Sequence, residues 1–258
     1  MHPSDLPLWP AAAAPASPMI EVAGLTKVYG THVALRGVSL TVPAGAVLTV
    51  VGHNGSGKTT LLRLLATLAR PTAGGGRIGG HSLVDERERV RHLIGLVGHG
   101  SQLYDDLTAV ENLVFAGALA DAPPDRPRVT AALARVGLEG QADTRVRELS
   151  SGMRRRVALA RAMLRQPKVL LLDEPFAGLD QDSTKRVQDY LHGFREAGGC
   201  AVLVTHSLSR ALSVADSVAI LAGGRLAAHE PRATLTEEML QRLYLATAEV
   251  GEAGEAGA

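Results

Sequence analysis

Several residue types are scarce in this chain of 258 residues, and each scarcity excludes a class of protein. Cys200 is the only cysteine, which excludes an internal disulfide and a CxxC metal site, and we expect it to be buried at the start of a strand. The formal net charge is only +1, without the basic excess that is typical of nucleic-acid binding. No apolar run approaches the ~20 residues that cross a bilayer. The sequence therefore favours a globular protein without a nucleic-acid partner.

The two ends of the chain differ in composition from the rest. Residues 1–18 are rich in alanine and proline and lack the basic start of a signal peptide, so we predict a disordered extension. Residues 249–258 consist mainly of glycine, alanine and glutamate and predict a solvated tail. A single folded domain over residues 19–248 is expected between these two ends.

Strand-like and helical patterns alternate along this domain. The strand-like runs, most of them apolar, cover residues 19–30, 33–43, 46–51, 91–98, 168–175, 200–206 and 217–226. Strands that alternate with helices indicate an α/β fold, in which helices cover both faces of a mostly parallel sheet. Residues at about 105–165 are helical without strands, which predicts an inserted helical subdomain.

The segment GHNGSGKT, from Gly52 to Thr59, matches the phosphate-binding pattern G-x-x-x-x-G-K-[ST] between a strand and a helix. Its glycines allow backbone N–H groups to surround phosphates, Lys58 reaches the β- and γ-phosphates, and the Thr59 hydroxyl binds Mg²⁺. A glycine-rich turn with a chance lysine is the alternative. The predicted nucleotide-binding residues are Gly52, His53, Asn54, Gly55, Ser56, Gly57, Lys58, Thr59 and Thr60.

The segment VLLLDEP is an apolar strand that ends in two carboxylates. Asp173 at the end of the strand is suited to hold Mg²⁺, and Glu174 to act as general base toward the attacking water. An acidic strand end is common by itself, but here it follows a phosphate-binding loop. ATP and Mg²⁺ are the cofactors that the two motifs predict, with Lys58 and Glu174 as catalytic residues.

The segment LSSGM precedes the helical run RRRVALARAML, and with the two preceding motifs it resembles the ABC ATPase family. The signature of that family is L-S-G-G-Q. Ser150 and Gly152 match it, whereas Ser151 and Met153 depart from it. The resemblance implies that these four residues contact the nucleotide. An ordinary helix capped by a serine is the alternative.

Three further residues match the family in chain order. Tyr29 corresponds to the aromatic residue that stacks on adenine, although a tyrosine that packs on its strand is the alternative. Asp180 in FAGLD corresponds to the loop that links two ATP sites. His206, at the end of a strand, corresponds to the histidine that contacts the γ-phosphate, which makes it a third catalytic residue. The resemblance extends from about Ile20 to Ala228.

The family also places a glutamine in the loop after the strand at residues 91–98, with contacts to Mg²⁺ and to the membrane partner. The spacing to Thr108 puts His99 at that position, as a residue that binds the nucleotide and the metal. Gln102, three residues later, is the alternative.

Three arginines, Arg154 to Arg156, begin the helix after the signature. A solvated helix face is the simple interpretation of this cluster. The alternative is that Arg154 orients the signature toward ATP.

The resemblance implies an architecture and partners. The expected fold is a P-loop NTPase core with a mostly parallel sheet, an antiparallel N-terminal β subdomain and the inserted helical subdomain. Two copies close head to tail over ATP and drive integral membrane permease subunits, which implies a cytoplasmic protein on the inner face of the membrane. The alternative from another class is an ABC ATPase that acts on ribosomes or DNA.

The cargo is less constrained than the family. The segment GHGSQLYDDLTAVENLVFAGAL resembles the ATP-binding subunits of haem exporters in cytochrome c maturation. Similar segments also occur in exporters of drugs, antibiotics and lipids, which are the alternatives.

Overall fold

The structure of this protein is a computed structural model, which describes residues 18–100, 102–119 and 124–255. The extension predicted for residues 1–18 therefore lies almost entirely outside the described residues. The strands are β1 (Ile20–Tyr29), β2 (His32–Val42), β3 (Val47–Val51), β4 (Ala73–Ile78), β5 (His81–Ser82), β6 (Ile94–Val97), β7 (Val169–Asp173), β8 (Cys200–Val204), β9 (Ser217–Ala222) and β10 (Arg225–Pro231). The helices are α1 (Lys58–Leu65), α2 (Arg87–Leu93), α3 (Ala109–Ala118), α4 (Arg126–Arg135), α5 (Ser151–Leu164), α6 (Gln181–Glu196), α7 (Leu208–Val214) and α8 (Glu237–Glu255).

Two sheets organise these elements. The N-terminal sheet is antiparallel, with the strand order β2-β1-β4-β5. The central sheet has the order β10-β9-β3-β8-β7-β6 and is parallel except for the pair of β10 with β9. This arrangement confirms the predicted fold class. Because β3, β6, β7 and β8 run in the same direction, the loops after them meet at one edge of the sheet.

The two largest hydrophobic cores lie on opposite faces of the central sheet. Leu170 and Leu172 of β7 face the core formed with α3, α4, α5 and α6. Val169 and Leu171 face the opposite core, which includes α1 and the N-terminal sheet. A strand buried on both faces is apolar at every position, and this explains the uninterrupted run VLLL.

Helix α3 begins with a capping box that fixes the start of the helical region. The Thr108 side chain accepts a hydrogen bond from the Glu111 backbone N–H at 3.1 Å, and the Glu111 carboxylate accepts one from the Thr108 N–H at 2.7 Å. Together these bonds satisfy two N–H groups that a helix start otherwise leaves unpaired. Helices α3, α4 and α5 all lie in the range predicted as a helical subdomain.

Two local predictions are wrong. The strand predicted over residues 217–226 is a hairpin of β9 and β10, because Gly223 and Gly224 adopt φ values of 52° and 77° and reverse the chain. The strand predicted from residue 91 begins only at Ile94, since the preceding residues end α2. Helix α8 extends to Glu255, into the segment for which the sequence predicts a solvated tail.

Cys200 is a free, fully buried residue at the start of β8, as the sequence predicts. Burial raises the pKa of its thiol to about 12. None of the described helices is long and apolar enough to cross a membrane.

Candidate nucleotide site

The loop between β3 and α1 forms a compact backbone cradle. Gly57 has a φ of 102°, and a Cβ atom on it would lie 2.6 Å from the Ala34 carbonyl oxygen. A Cβ atom on Gly52 would lie 2.3 Å from the Leu221 carbonyl oxygen. Only glycine fits at either position, so the neighbouring β2 and β9 dictate the glycines of the motif.

Lys58, the first residue of α1, points back over this cradle. Its Nζ donates hydrogen bonds to the carbonyl oxygens of Gly52, at 2.6 Å, and of His53, at 2.8 Å. Burial lowers the pKa of the Lys58 ammonium, while the nearby Glu174 and Asp173 act in the opposite direction. An ammonium held at a helix N-terminus among backbone amides suits the phosphate chain of a nucleotide.

Asp173 ends β7 opposite the first turn of α1. The Thr59 Oγ1 lies 3.5 Å from Asp173 Oδ2, at the limit of a hydrogen bond. Burial raises the pKa of the Asp173 carboxyl, and the nearby His99 and Arg155 oppose this increase. A bound cation would stabilise this buried carboxylate.

The hydroxyl and carboxylate oxygens of Thr59 and Asp173 are hard ligands of the kind that Mg²⁺ prefers. The described residues contain no group of three or more His, Cys, Asp or Glu side chains arranged to hold a metal ion. Thr59 and Asp173 therefore fit a metal ion that is held partly by substrate phosphates.

Glu174 is fixed at both its backbone and its side chain. It adopts a left-handed φ of 52°, which is uncommon for a residue with a side chain. Its Oε2 accepts a hydrogen bond from Thr205 Oγ1 at 3.0 Å, and its Oε1 accepts one from the His206 backbone N–H at 2.8 Å. The His206 Nδ1 also lies 2.7 Å from Oε1. The ends of β7 and β8 thus bring the two predicted catalytic residues into direct contact.

The loop after β6 contains His99 and Gln102. His99 is exposed, and it is near enough to Asp173 to oppose the increase that burial causes in the pKa of that carboxyl. Gln102 has a left-handed φ of 48°. Its side chain packs near Gly98, where an added Cβ atom would lie 3.7 Å from the Gln102 Nε2. Gln102 also lines a groove beside α3. The two alternatives from the sequence thus occupy different surroundings.

The signature segment begins α5. The Ser150 side chain caps the helix by accepting a hydrogen bond from the Met153 N–H at 3.2 Å. A Cβ on Gly152 would lie 2.7 Å from the Gly178 carbonyl oxygen, so the helix start packs on the loop that leads to Asp180. Asp180 in turn caps α6 through the Ser183 N–H at 2.7 Å, and these hydrogen bonds lower the pKa of the Asp180 carboxyl. Ser150, Ser151 and Asp180 are exposed.

Two aromatic contacts involve predicted nucleotide-binding residues. Tyr29 at the end of β1 is 41% exposed, and the Lys27 Nζ lies 4.8 Å from its ring centre. His53 of the cradle packs against Tyr244 of α8, with ring centres 4.2 Å apart. The contact of α8 with the cradle has no signal in the sequence motifs.

The arginines at the start of α5 do not form a solvated face, which corrects the simple interpretation of that cluster. Arg155 is only 8% exposed and donates hydrogen bonds to four backbone carbonyl oxygens at the ends of β6 and β7. Arg156 donates to the carbonyl oxygens of Val136 and Gly137. Backbone carbonyl groups therefore take up both guanidinium groups, those of the strand ends for Arg155 and those of the helical region for Arg156.

A phosphate cradle, the oxygen pair of Thr59 and Asp173 for a cation, and the carboxylate of Glu174 beside them at one edge of a parallel sheet define a P-loop ATPase. Residues 35–177 match the family described as ABC transporter. The daunorubicin/doxorubicin resistance ATP-binding protein DrrA of Streptomyces peucetius is 39% identical over 81% of this chain and 64% of its own length. This chain therefore spans less than two thirds of the length of that relative.

The cytochrome c biogenesis ATP-binding export protein CcmA of Pseudomonas putida strain GB-1 is 41% identical over 72% of this chain and 89% of its own length. Among solved structures, a dimeric ATP-binding cassette in a post-hydrolysis state, bound to ADP and Pi, superposes with a TM-score of 0.76. Its sequence identity is 28%, and the match covers 83% of this chain and 99% of that one. The chain belongs to the ABC transporter family and is an ATPase of the ABC type, with ATP and Mg²⁺ as its cofactors.

Proposed function

We propose that this chain is the subunit that hydrolyses MgATP to power a membrane exporter. Lys58 and the cradle bind the β- and γ-phosphates, and Thr59 and Asp173 hold Mg²⁺, which neutralises phosphate charge. Glu174 accepts a proton from the attacking water, and His206 orients Glu174 and contacts the γ-phosphate. The contact between Glu174 and His206 at the edge that holds Lys58 and Asp173 is the observation that carries this assignment.

Tyr29, exposed at the end of β1, is proposed to stack on adenine, and His99 to approach the metal from the loop after β6. The signature residues and Asp180 are proposed to act on the ATP of a second copy. Their support is the exposure of Ser150 and Ser151 at the capped start of α5 and of Asp180 at the capped start of α6. A dimeric relative in the solved structures is consistent with this arrangement.

A groove beside the loop of Gln102 supports a protein partner at this subunit. We define the subdomain groove by its exposed apolar residues Leu68, Tyr104, Phe115 and Leu119, and by its arginines Arg91, Arg161 and Arg165. Its volume is about 410 Å³. Among the described residues that line it there is no acidic side chain. Exposed apolar patches of this kind mark interaction sites.

The proposed occupant of the subdomain groove is an amphipathic, acidic segment of an integral membrane permease. Its apolar side chains would cover Phe115 and Leu119, and its carboxylates would pair with the arginines. Through this partner the subunit is held at the cytoplasmic face of the membrane. A second copy of this chain and the permease are therefore the partners.

Copurification tests this partner. Leu119→Glu puts a carboxylate into the groove and should abolish copurification of a multispanning membrane protein that stimulates the ATPase. The control is Leu245→Glu on α8, where Leu245 is also exposed, at 56%. Both variants should keep basal ATPase activity. Recovery of ribosomes or DNA in place of a permease would instead support the ABC ATPases that act on those particles.

The proposed cargo is haem for cytochrome c maturation, and a drug, antibiotic or lipid is the alternative. The support for haem is the resemblance of the segment at residues 98–119, and the relative from cytochrome c biogenesis is about as similar to this chain as the drug-resistance relative. The reconstituted complex with its permease should show ATPase activity that haem stimulates. Stimulation by an anthracycline and not by haem would favour the alternative.

A further inference from the structure

The Arg155 side chain joins two loops of the proposed site that come from different strands. Its Nη1 donates to the carbonyl oxygens of Gly98 and His99, each at 3.0 Å. Its Nη2 donates to the carbonyl oxygens of Asp173 at 3.0 Å and of Glu174 at 2.6 Å. One planar group thus holds the residues that follow β6 and those that end β7.

These carbonyl groups lie where the ladder between β6 and β7 ends, at the pair of Val97 with Leu172. A buried carbonyl group without a hydrogen bond is costly, so the guanidinium takes the place of the β6–β7 ladder bonds at this end. The Glu174 carbonyl has a second partner, the Ala177 N–H at 3.1 Å. Burial lowers the pKa of Arg155, and the nearby Asp173 and Glu174 oppose this shift. No carboxylate oxygen is among its described hydrogen-bond partners.

The bonds of Arg155 add to the restraint on Glu174. The Glu174 N–H donates to the Val204 carbonyl at 2.9 Å, and its carbonyl accepts from both Arg155 and the Ala177 N–H. Both polar groups of its backbone are therefore held while the residue has its left-handed φ of 52°. A residue in this conformation persists only where its surroundings restrain it.

We propose that Arg155 is the positioning residue that sets the carboxylate of Glu174 and couples it to the loop of His99. Because a guanidinium is planar and its donors have a fixed spacing, a shift of the His99 carbonyl moves Arg155 or breaks its bonds to Glu174. The loop that faces the subdomain groove thereby controls the hydrolytic carboxylate. This inference rests on the proposed role of Glu174 as general base.

Arg155→Lys tests the proposal, since it keeps the charge but cannot bridge both strand ends. We expect kcat for ATP hydrolysis to fall by about 10–100-fold, the effect of misplacing a catalytic group by ~1 Å. The Kd for ATP should change by less than threefold, because Arg155 is not in the cradle. Stimulation by the permease should be lost as well.

Arg156→Lys is the matched control. Arg156 lies next to Arg155 on the same helix and also donates to two carbonyl groups, but these belong to Val136 and Gly137 in the helical region. Its kcat should stay within threefold of the unmodified protein. Equal losses of kcat in both variants, in proportion to their melting temperatures, would overturn the proposal and leave Arg155 with a structural role.

A spectroscopic measurement keeps the proposal testable without turnover. The His206 Nδ1 reports on the Glu174 carboxylate through their 2.7 Å contact. The ¹⁵N resonances of the His206 ring, assigned by their loss in His206→Gln, should shift in Arg155→Lys and in Arg155→Gln but not in Arg156→Lys. An unshifted His206 in folded Arg155 variants contradicts the inference. Absence of ATPase activity in the unmodified protein would instead refute the proposed function.

Discussion

The hydrolytic edge of the central sheet and the signature end of α5 are built in opposite ways. At the hydrolytic edge, the side chains of Asp173, Glu174 and Thr205 are buried or nearly so and bind each other or their neighbours. At the signature end, Ser150 and Ser151 are exposed, and Gly152 packs closely on the Gly178 carbonyl. The side chains of the hydrolytic edge thus find their partners within the chain, whereas those of the signature end are open to a partner molecule. This difference is what a half-site completed by a second copy requires.

Among the changes that test this difference, loss of the Lys58 ammonium should reduce ATPase activity most. Lys58→Ala removes the charge that stabilises the γ-phosphate in the transition state, so ATPase activity should fall by about 10²–10³-fold. Phosphate release measures it, and the melting temperature is the control for folding. Near-normal turnover in the folded variant would show that Lys58 does not stabilise the γ-phosphate.

The signature end should be sensitive to backbone spacing. Gly152→Ala places a Cβ 2.7 Å from the Gly178 carbonyl oxygen, and such overpacking costs about 1–3 kcal/mol. We expect ATPase activity of the assembled dimer to fall by about tenfold, the equivalent of ~1.4 kcal/mol. Gly193→Ala in α6 is the matched control, since a Cβ there meets nothing within 4 Å. Equal behaviour of the two variants would argue against close packing at the signature.

The buried Asp173 should make the magnesium requirement depend on pH. Burial raises the pKa of its carboxyl, so a proton competes with Mg²⁺ at a higher pH than for an exposed aspartate. The Mg²⁺ concentration for half-maximal ATPase activity should therefore rise in mild acid, by at most about tenfold per pH unit below that pKa. A Mg²⁺ requirement that does not change with pH would exclude Asp173 as the titrating ligand.

The smallest expected effect concerns the contact of α8 with the cradle. The rings of His53 and Tyr244 lie 4.2 Å apart, and an aromatic pair contributes about 0.5–1.5 kcal/mol. Tyr244→Ala should raise the KM for ATP by about two- to tenfold while kcat is kept, since ~1.4 kcal/mol corresponds to tenfold. Tyr244→Phe keeps the ring that packs on His53, so its KM for ATP should equal that of the unmodified protein. Leu243→Ala, on the same helix, is the control, and a KM raised equally there would assign the effect to the helix as a whole.

The positions of the cradle glycines and of Asp173 and Glu174 can be predicted from the sequence, whereas the contacts of Arg155 cannot. The cradle glycines and the pair Asp173–Glu174 are local patterns that follow buried strands, so their place at the edge of a parallel sheet follows from chain direction alone. The role of Arg155 depends on carbonyl groups of two distant loops, which no local pattern records. The hairpin of β9 and β10 did have a signal, the pair Gly223–Gly224 between apolar runs, which a one-strand interpretation overlooks.

In the proposed function, this chain provides half of an ATP site, and a second copy provides the other half. Glu174→Gln keeps the shape of the side chain but cannot accept the proton of water, so ATP should bind and remain intact. Analytical ultracentrifugation of this variant should then show a dimer with MgATP and a monomer without it, and the added change Gly152→Ala should weaken that dimer. A variant that binds ATP, hydrolyses it at the normal rate and stays monomeric would contradict a site shared between two copies.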